Sequence, residues 1–240
     1  MRLFERFSNN EKGTKATESY DSSVAANEAS AAQMADGFES PEADLWREEI
    51  SRGIYLFPVP ITENVFDIGK QIAYQDPPEK KVKQIGNFIV SHSPESHQNQ
   101  HAQALDFLVL DGTPVLAAAD GEIVDFVLGN SDYGSSEEFA DRGNYITIKH
   151  SNGEFSQYYH LAYDSLHAGI KRAMRMNQRL IVRVGQQIAT TGKTGWTDRD
   201  HLHFVVFRDL SPEEMGKQNP DELVQWKSLK PQFEGLEEKE

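Results

Sequence analysis

Residues 145–160 read YITIKHSNGEFSQYYH, and this stretch decides the fold class. Both of its halves are rich in β-branched and aromatic residues, which favour extended strands. Between them stand Ser151, Asn152 and Gly153, a turn signal of the kind that joins two antiparallel strands. The stretch therefore predicts a β-hairpin that ends in an imidazole, His160.

Short runs of the same character lie on both sides of this hairpin. They are separated by Gly, Asn, Asp and Pro, and they span residues 54–60, 104–110, 114–119, 122–128, 179–184, 187–190 and 202–207. Asp120 and Gly121 predict a second hairpin, and residues 164–177 predict a short helix. Many short strands with turns between them predict a mainly β fold built on an antiparallel sheet.

The two ends of the chain differ from this middle part. Residues 1–45 are rich in Ser, Ala, Asn, Asp and Glu without sustained apolar periodicity, which predicts a disordered acidic tail. The other predicted units are an N-terminal extension packed on the core at 46–90, the β domain at 91–210 and a C-terminal extension at 211–240. Residues 1–10 show no apolar signal core, and no run of about 18 apolar residues predicts a membrane span.

Composition limits the chemistry that the chain can perform. The 240 residues include no cysteine, so disulfides and thiolate metal sites are excluded, and a transition metal must be held by His and carboxylate side chains. The formal net charge of -14 disfavours nucleic acid as a partner of the whole surface. The placement of the eight histidines is therefore the informative feature.

Three of the histidines and one aspartate predict a site. In a strand over residues 201–207 (HLHFVVF), His201 and His203 point to the same face, and Leu202 and Phe204 point to the core. Asp106 stands inside an apolar run, where a carboxylate is unfavourable unless it is paired or bound to metal. His160 closes the hairpin, and further histidines precede Asp106. One Asp and several His match a catalytic zinc site with three protein ligands and an open position.

Four ordered blocks then give the chain a resemblance to the lysostaphin-like peptidoglycan endopeptidases. They are ALDF at 104–107 with DGTPV at 111–115 and AAADGEIV at 117–124; GNYITIKH at 143–150; YYHL at 158–161; and VGQQIA at 184–189 with GKTG at 192–195 and HLHF at 201–204. The resemblance implies an antiparallel peptidase domain of the duplicated hybrid motif, similar to a barrel-sandwich. It also implies one zinc ion per chain held by Asp106 and His203, with His160 and His201 as the catalytic pair.

The first zinc ligand departs from the commonest pattern of that family. The family usually places a His four residues before the Asp, where this chain has Ala102. A variant with a longer insertion carries Ser-His ahead of the Asp strand, and residues 93–97 (SPESH) are similar to it. His97 is therefore preferred, with His101 and then His92 as alternatives. We find no counterpart of the family's transition-state tyrosine; Tyr158 and Tyr159 are interpreted as packing residues.

Two functions from different classes follow. The first is a zinc-dependent endopeptidase that hydrolyses peptide bonds in peptidoglycan cross-links or stem peptides, with cell wall as substrate on the resemblance alone. The second is a catalytically inactive binding or regulatory module of the same fold, which Ala102 favours and the retained His160, His201 and His203 oppose. A carrier-like β domain would leave Asp106 and the paired histidines unexplained. The location is left open, because the sequence alone favours the cytoplasm whereas the family usually acts outside the membrane; the oligomeric state is also left open.

Overall fold

The computed structural model of the chain describes residues 45–74, 81–93, 96–218 and 223–236. In these ranges the strands are β1 (Ile50–Tyr55), β2 (Lys81–Ile85), β3 (Phe88–His92), β4 (Leu105–Phe107), β5 (Pro114–Leu116), β6 (Gly121–Val127), β7 (Tyr133–Gly134), β8 (Tyr145–Lys149), β9 (Phe155–Tyr159), β10 (Ile181–Val182), β11 (Gln187–Thr190), β12 (Gly195–Trp196), β13 (Leu202–Asp209) and β14 (Trp226–Phe233). Helices span Val65–Ala73, Ala168–Arg175 and Pro212–Met215, and 3₁₀ turns span Asn99–His101 and Glu137–Arg142. The mainly β fold is confirmed, and so is a helix within 164–177.

One ten-stranded sheet organises the described residues. Its strand order is β10-β6-β8-β9-β13-β4-β3-β2, and β14 pairs with the second half of β13 and with β1. The pairs along this path are antiparallel, whereas β1 and β14 run parallel. Two small sheets, β5 with β11 and β7 with β12, flank it. The predicted antiparallel architecture is therefore observed, with β13 at its centre.

The alternation of side chains along β13 separates two apolar clusters. Leu202, Phe204 and Val206 are fully buried in the main core. Val205 and Phe207 point to the opposite face, where they form a second cluster that also contains Ala104, Phe155 and Trp226. The histidines at 201 and 203 therefore share their face of the sheet with this second cluster.

The hairpin predicted at 145–160 is confirmed, since β8 and β9 pair in register. Its turn holds a buried carboxylate, Glu154, that fastens the preceding part of the chain. Glu154 Oε2 accepts hydrogen bonds from Ser51 Oγ, Tyr55 Oη and Asn152 Nδ2 at 2.7, 2.8 and 2.9 Å, and from Gly53 N at 3.3 Å. Its Oε1 accepts one from the backbone N–H of residue 52 at 2.7 Å. The carboxylate thus ties β1 to the β8–β9 hairpin.

The second predicted hairpin, across Asp120 and Gly121, is wrong. β5 pairs with β11, while β6 pairs with β8 and β10. Asp120 accepts hydrogen bonds from the side chain of Arg183 and from the backbone N–H of Val184, both at 2.8 Å. A Cβ at Gly121 would lie 2.5 Å from the carbonyl oxygen of Lys149. Asp120 therefore binds residues 183 and 184 across the fold, and Gly121 permits a close approach of two backbone segments. The dipeptide Asp-Gly suits these roles as well as it suits a tight turn.

Other expectations need smaller corrections. The first strand ends at Tyr55 instead of running over 54–60, because Pro58 and Pro60 cannot donate ladder hydrogen bonds. The run 104–110 contributes only Leu105–Phe107 to the sheet. The tail predicted at 1–45 lies outside the described residues except for Leu45, which is buried. Within the described ranges, no helix has the length and apolar character needed to cross a membrane.

Candidate metal centre

The strand register places three polar side chains in one row across the sheet. His203 of β13 stands directly opposite Asp106 of β4 on one side and Tyr159 of β9 on the other. Directly opposed residues of neighbouring strands project their side chains from the same face. Leu202 and Phe204, on either side of His203, are fully buried in the main core, so the alternation expected from the sequence is observed.

The loop between β3 and β4 brings a third donor to this row. His97 Nε2 lies 3.2 Å from Asp106 Oδ1 and 3.2 Å from His203 Nδ1. His203 Nδ1 in turn lies 3.0 Å from Asp106 Oδ1. His97 and Asp106 are buried, and 12% of the His203 side chain is exposed. These two imidazoles and one carboxylate form a nearly equilateral triangle of donor atoms that can hold a metal ion.

The charge states of the triangle suit metal binding. Burial alone would raise the pKa of Asp106, but His97, His201 and His203 around it hold the pKa of this carboxyl well below its usual range. Burial lowers the pKa of His203, against the opposing effect of the Asp106 charge. At neutral pH the carboxyl is therefore ionised and His203 is neutral, which are the states in which these groups bind metals.

Two further imidazoles stand beside the triangle. His160 Nδ1 lies 2.8 Å from the carbonyl oxygen of Thr194, and His201 Nδ1 lies 3.1 Å from that of Arg199. Because a carbonyl only accepts, each Nδ1 carries the proton, and each Nε2 keeps its lone pair. The two rings are 4.6 Å apart, and His201 Nε2 is 3.7 Å from Asp106 Oδ1. Burial lowers the pKa of both imidazoles, so both are neutral at physiological pH.

The backbone of His160 has an uncommon conformation. Its φ is +61°, in the left-handed region, directly after β9. Such a conformation costs a non-glycine residue about 1–2 kcal/mol. It is held by a hydrogen bond from the backbone N–H of Gly192 to the carbonyl oxygen of His160 at 2.8 Å. The ring of His160 is in this way turned towards His201.

Of the three alternatives for the first ligand, the structure brings His97 to the donor triangle. The ring of His101 is 5.7 Å from the ring of His203, on the side of Trp226. His92 lies behind His97, with its Nε2 3.0 Å from the carbonyl oxygen of Ala102. A 3₁₀ turn over Asn99–His101 takes up the longer spacing between His97 and the Asp strand.

Tyr159 lines the site, although its sequence context predicts a packing residue. Its ring is 5.0 Å from the ring of His160 and 6.3 Å from that of His203, and its hydroxyl donates to the carbonyl oxygen of Ala140 at 3.0 Å. Burial raises the pKa of Tyr159 to about 12, so the hydroxyl stays protonated. The pairing of β9 with β13 would have revealed this position. Tyr158, one residue earlier, points to the opposite face and packs in the core as expected.

Comparison with known proteins agrees with this geometry. The sequence profile of peptidase family M23 matches residues 100–214. Peptidoglycan DD-endopeptidase ShyC of Vibrio cholerae is 32% identical over 111 residues, which are 46% of this chain and 21% of that protein. Lipoprotein NlpD of Yersinia enterocolitica is 33% identical over 95 residues, which are 40% of this chain and 77% of that protein. The range matched by the profile contains Asp106, His160, His201 and His203.

The similarity is confined to one part of the relatives. The chain spans 16–25% of the length of the first curated relatives that it matches. Among solved structures, the catalytic domain of lysostaphin from Staphylococcus simulans is 28% identical, with 43% of this chain and 65% of that chain covered and a TM-score of 0.31. His97 and β14 lie outside the profile match, although His97 is one of the three donors and β14 contacts the loop that carries it.

Proposed function

The chain belongs to peptidase family M23, and from this membership and the site geometry we propose that it is a zinc-dependent endopeptidase. The observation that carries the proposal is the donor triangle of His97, Asp106 and His203 with two neutral imidazoles beside it. The family profile and the relatives support a metallopeptidase, and the identity of the metal and the reaction are our own inference.

Zinc fits the donor triangle by its chemistry and its size. Zinc binds imidazole nitrogen and carboxylate oxygen at about 2.0–2.1 Å, so a tetrahedral site has donor–donor edges of about 3.3 Å. The edges in this chain are 3.0, 3.2 and 3.2 Å. Three protein donors leave the fourth position open, which is the arrangement of catalytic rather than structural zinc sites. The residues present therefore fit the ion that the family implies.

His160 and His201 supply the proton transfer in this proposal. His97, Asp106 and His203 would hold the zinc ion, which would supply the Lewis acidity that polarises the scissile carbonyl and lowers the pKa of a water molecule. Each imidazole has its Nδ1–H fixed on a backbone carbonyl, so its Nε2 is free to take a proton from water and to return it to the leaving amine. His160 and His201 are equivalent in this hydrogen bonding, and separate variants of each assign the roles of proton acceptor and proton donor.

Peptidoglycan is the proposed substrate class. The support comes from two relatives: ShyC is a peptidoglycan DD-endopeptidase, and ALE-1 of Staphylococcus capitis is a glycyl-glycine endopeptidase. Peptide bonds in cross-links or stem peptides would then be cleaved. Because peptidoglycan lies outside the cytoplasmic membrane, the proposal includes action outside that membrane. Fractionation of cells that express the tagged full chain, with a cytoplasmic marker as control, tests this part.

The decisive experiment measures zinc and cleavage on the same preparation. The purified full chain is dialysed against metal-free buffer, and zinc per chain is measured by elemental mass spectrometry. The zinc-loaded protein is then incubated with insoluble peptidoglycan, and released peptides are identified by liquid chromatography and mass spectrometry. We expect about one zinc per chain and new amine and carboxyl ends at one type of peptide bond.

His160→Ala is the matched control, because it should keep zinc and release no peptides. Retention of zinc without cleavage by the unchanged protein on any peptidoglycan would instead support the inactive binding module. Failure to retain zinc, even after zinc is added, would remove the basis of the proposal.

A further inference from the structure

The loop that carries His97 rests on the C-terminal strand β14. The backbone N–H of Gln103 donates to Ser228 Oγ at 2.9 Å. The ring of His101 meets the ring of Trp226 edge-on, at 4.9 Å between centroids and an angle of 86°. Ser228 and Trp226 are both buried. Residues 96–104 are thus held from one side by a strand that lies outside the family profile match at 100–214.

A continuous row of rings leads from this strand to the metal centre. The row runs His203, His101, Trp226, Phe207, Phe155. The distances between the centroids of successive rings are 5.7, 4.9, 4.7 and 5.1 Å. The last three belong to the second apolar cluster, on the same face of the sheet as His203. A ring of His203 that moved away from Asp106 in this direction would collide with His101, and His101 is backed by Trp226.

The first ligand needs such support more than the other two. Asp106 and His203 stand opposite each other on paired strands, so the sheet fixes their separation. His97 stands in a loop with a single 3₁₀ turn, in which Asn99 has a φ of +48°. The backbone bonds of this loop are local, such as His101 N–H to the carbonyl of Gln98. A ligand on a loop keeps its geometry only when surrounding residues lock it.

We infer that Trp226 and His101 are positioning residues of the metal centre: they hold the 96–104 loop so that His97 faces Asp106, and they back the ring of His203. The inference rests on the proposed function in that it needs a metal bound by His97, Asp106 and His203. His101 acts here as a packed ring between Trp226 and His203, not as a ligand. The C-terminal extension is in this way part of the site.

The test compares two aromatic-to-leucine variants on the same strand. Trp226→Leu removes the ring that backs His101. Phe233→Leu removes a buried ring at the other end of β14, where Phe233 stacks on Phe57 in the main core. Zinc affinity of each full-length variant is measured by competition with a chromophoric chelator, and unfolding in urea gives its stability. We expect both variants to lose stability, and Trp226→Leu alone to lose zinc affinity, by about 10-fold, as for partners that orient metal ligands.

Conservative variants and a spectrum separate positioning from simple destabilisation. Trp226→Phe and His101→Phe keep a ring in place and should restore most of the affinity, whereas His101→Ala should weaken it as Trp226→Leu does. The visible absorption of the Co²⁺-substituted protein should change in Trp226→Leu and stay unchanged in Phe233→Leu, because it reports the geometry of the ligands.

Two outcomes would overturn the inference alone, and a third would overturn the proposed function. Equal zinc affinity of Trp226→Leu and the unchanged protein would show that the strand does not position the site. A loss in His101→Phe as large as in His203→Ala would make His101 a ligand. If the unchanged protein binds neither Zn²⁺ nor Co²⁺, the proposed function itself fails, and the inference, which needs a bound metal, fails with it.

Discussion

Replacing Glu154 by Gln should destabilise the fold without touching the metal centre. The carboxylate uses both oxygens: four donors converge on Oε2, and the backbone N–H of residue 52 binds Oε1. Gln offers one carbonyl oxygen and one NH₂ group. If the amide oxygen of Gln takes the place of Oε2, its NH₂ group faces the backbone N–H of residue 52. That buried N–H then has no acceptor, and the four remaining hydrogen bonds are made to a neutral oxygen instead of a charged one.

The magnitude follows from these contacts. A hydrogen bond to a charged group is worth about 1.5–3 kcal/mol and a neutral one about 0.5–1.5 kcal/mol. One lost bond and several weakened ones, which are not fully additive, should lower the free energy of unfolding by about 3 kcal/mol. With a urea m-value of about 2 kcal/mol/M, the midpoint should fall by about 1.5 M at an unchanged slope.

The assay is urea unfolding of the metal-free proteins, followed by tryptophan fluorescence at several pH values. Burial alone would raise the pKa of Glu154, but hydrogen bonds from Ser51, Arg52, Tyr55 and Asn152 bring it below its usual value. The stabilisation is therefore present above about pH 4.5 and is lost as the pH falls through the lower pKa of the folded state. The difference between the two proteins should shrink in acid. A loss under about 1 kcal/mol at pH 7, or one that grows in acid, would refute this reasoning.

Three further predictions concern the histidines. His203→Ala should abolish zinc binding, whereas His160→Ala should keep zinc and lose hydrolysis; full turnover by His160→Ala would make the catalytic assignment wrong. His97→Ala should lose more zinc affinity than His101→Ala in the chelator competition, and the reverse order would move the first ligand to residue 101. Burial lowers the pKa of His150, which lies between the carbonyl of residue 120 and a buried hydroxyl, so below about pH 6.5 the unfolded chain takes up a proton that the folded chain does not. The free energy of unfolding of the metal-free protein should therefore fall from about pH 7 to about 5.5, and it should fall less in His150→Gln. An equal dependence on pH in the two proteins would exclude His150 as a cause.

Period-two alternation predicted the parts of the site that stand on paired strands. The positions of His201, His203 and Asp106 in apolar runs predict that they belong to a site, and the register of β4 with β13 brings His203 and Asp106 together. A strand fixes the direction of its side chains in sequence, so this inference needs no tertiary information. The same holds for the hairpin at 145–160.

Tertiary contacts decided the remaining features. The place of His97 depends on a loop that contacts β14, so only the resemblance of residues 93–97 to a family variant favoured it over His101 and His92. β14 itself was not predicted, because Lys227, Lys230 and Pro231 give it the composition of a loop, although its pairing with β1 and β13 makes it a strand. Asp120-Gly121 wrongly predicts a hairpin, because a close backbone approach and a tight turn both need glycine.

The left-handed backbone of His160 has a consequence for laboratory evolution of this protein. Gly or Asn adopts that conformation at lower cost than His, so a library selected for heat resistance alone should accumulate them at position 160. Such variants would lose an imidazole of the site and gain a backbone without the left-handed strain. A screen for thermostability must therefore also select for activity, since at this position stability and activity favour different residues.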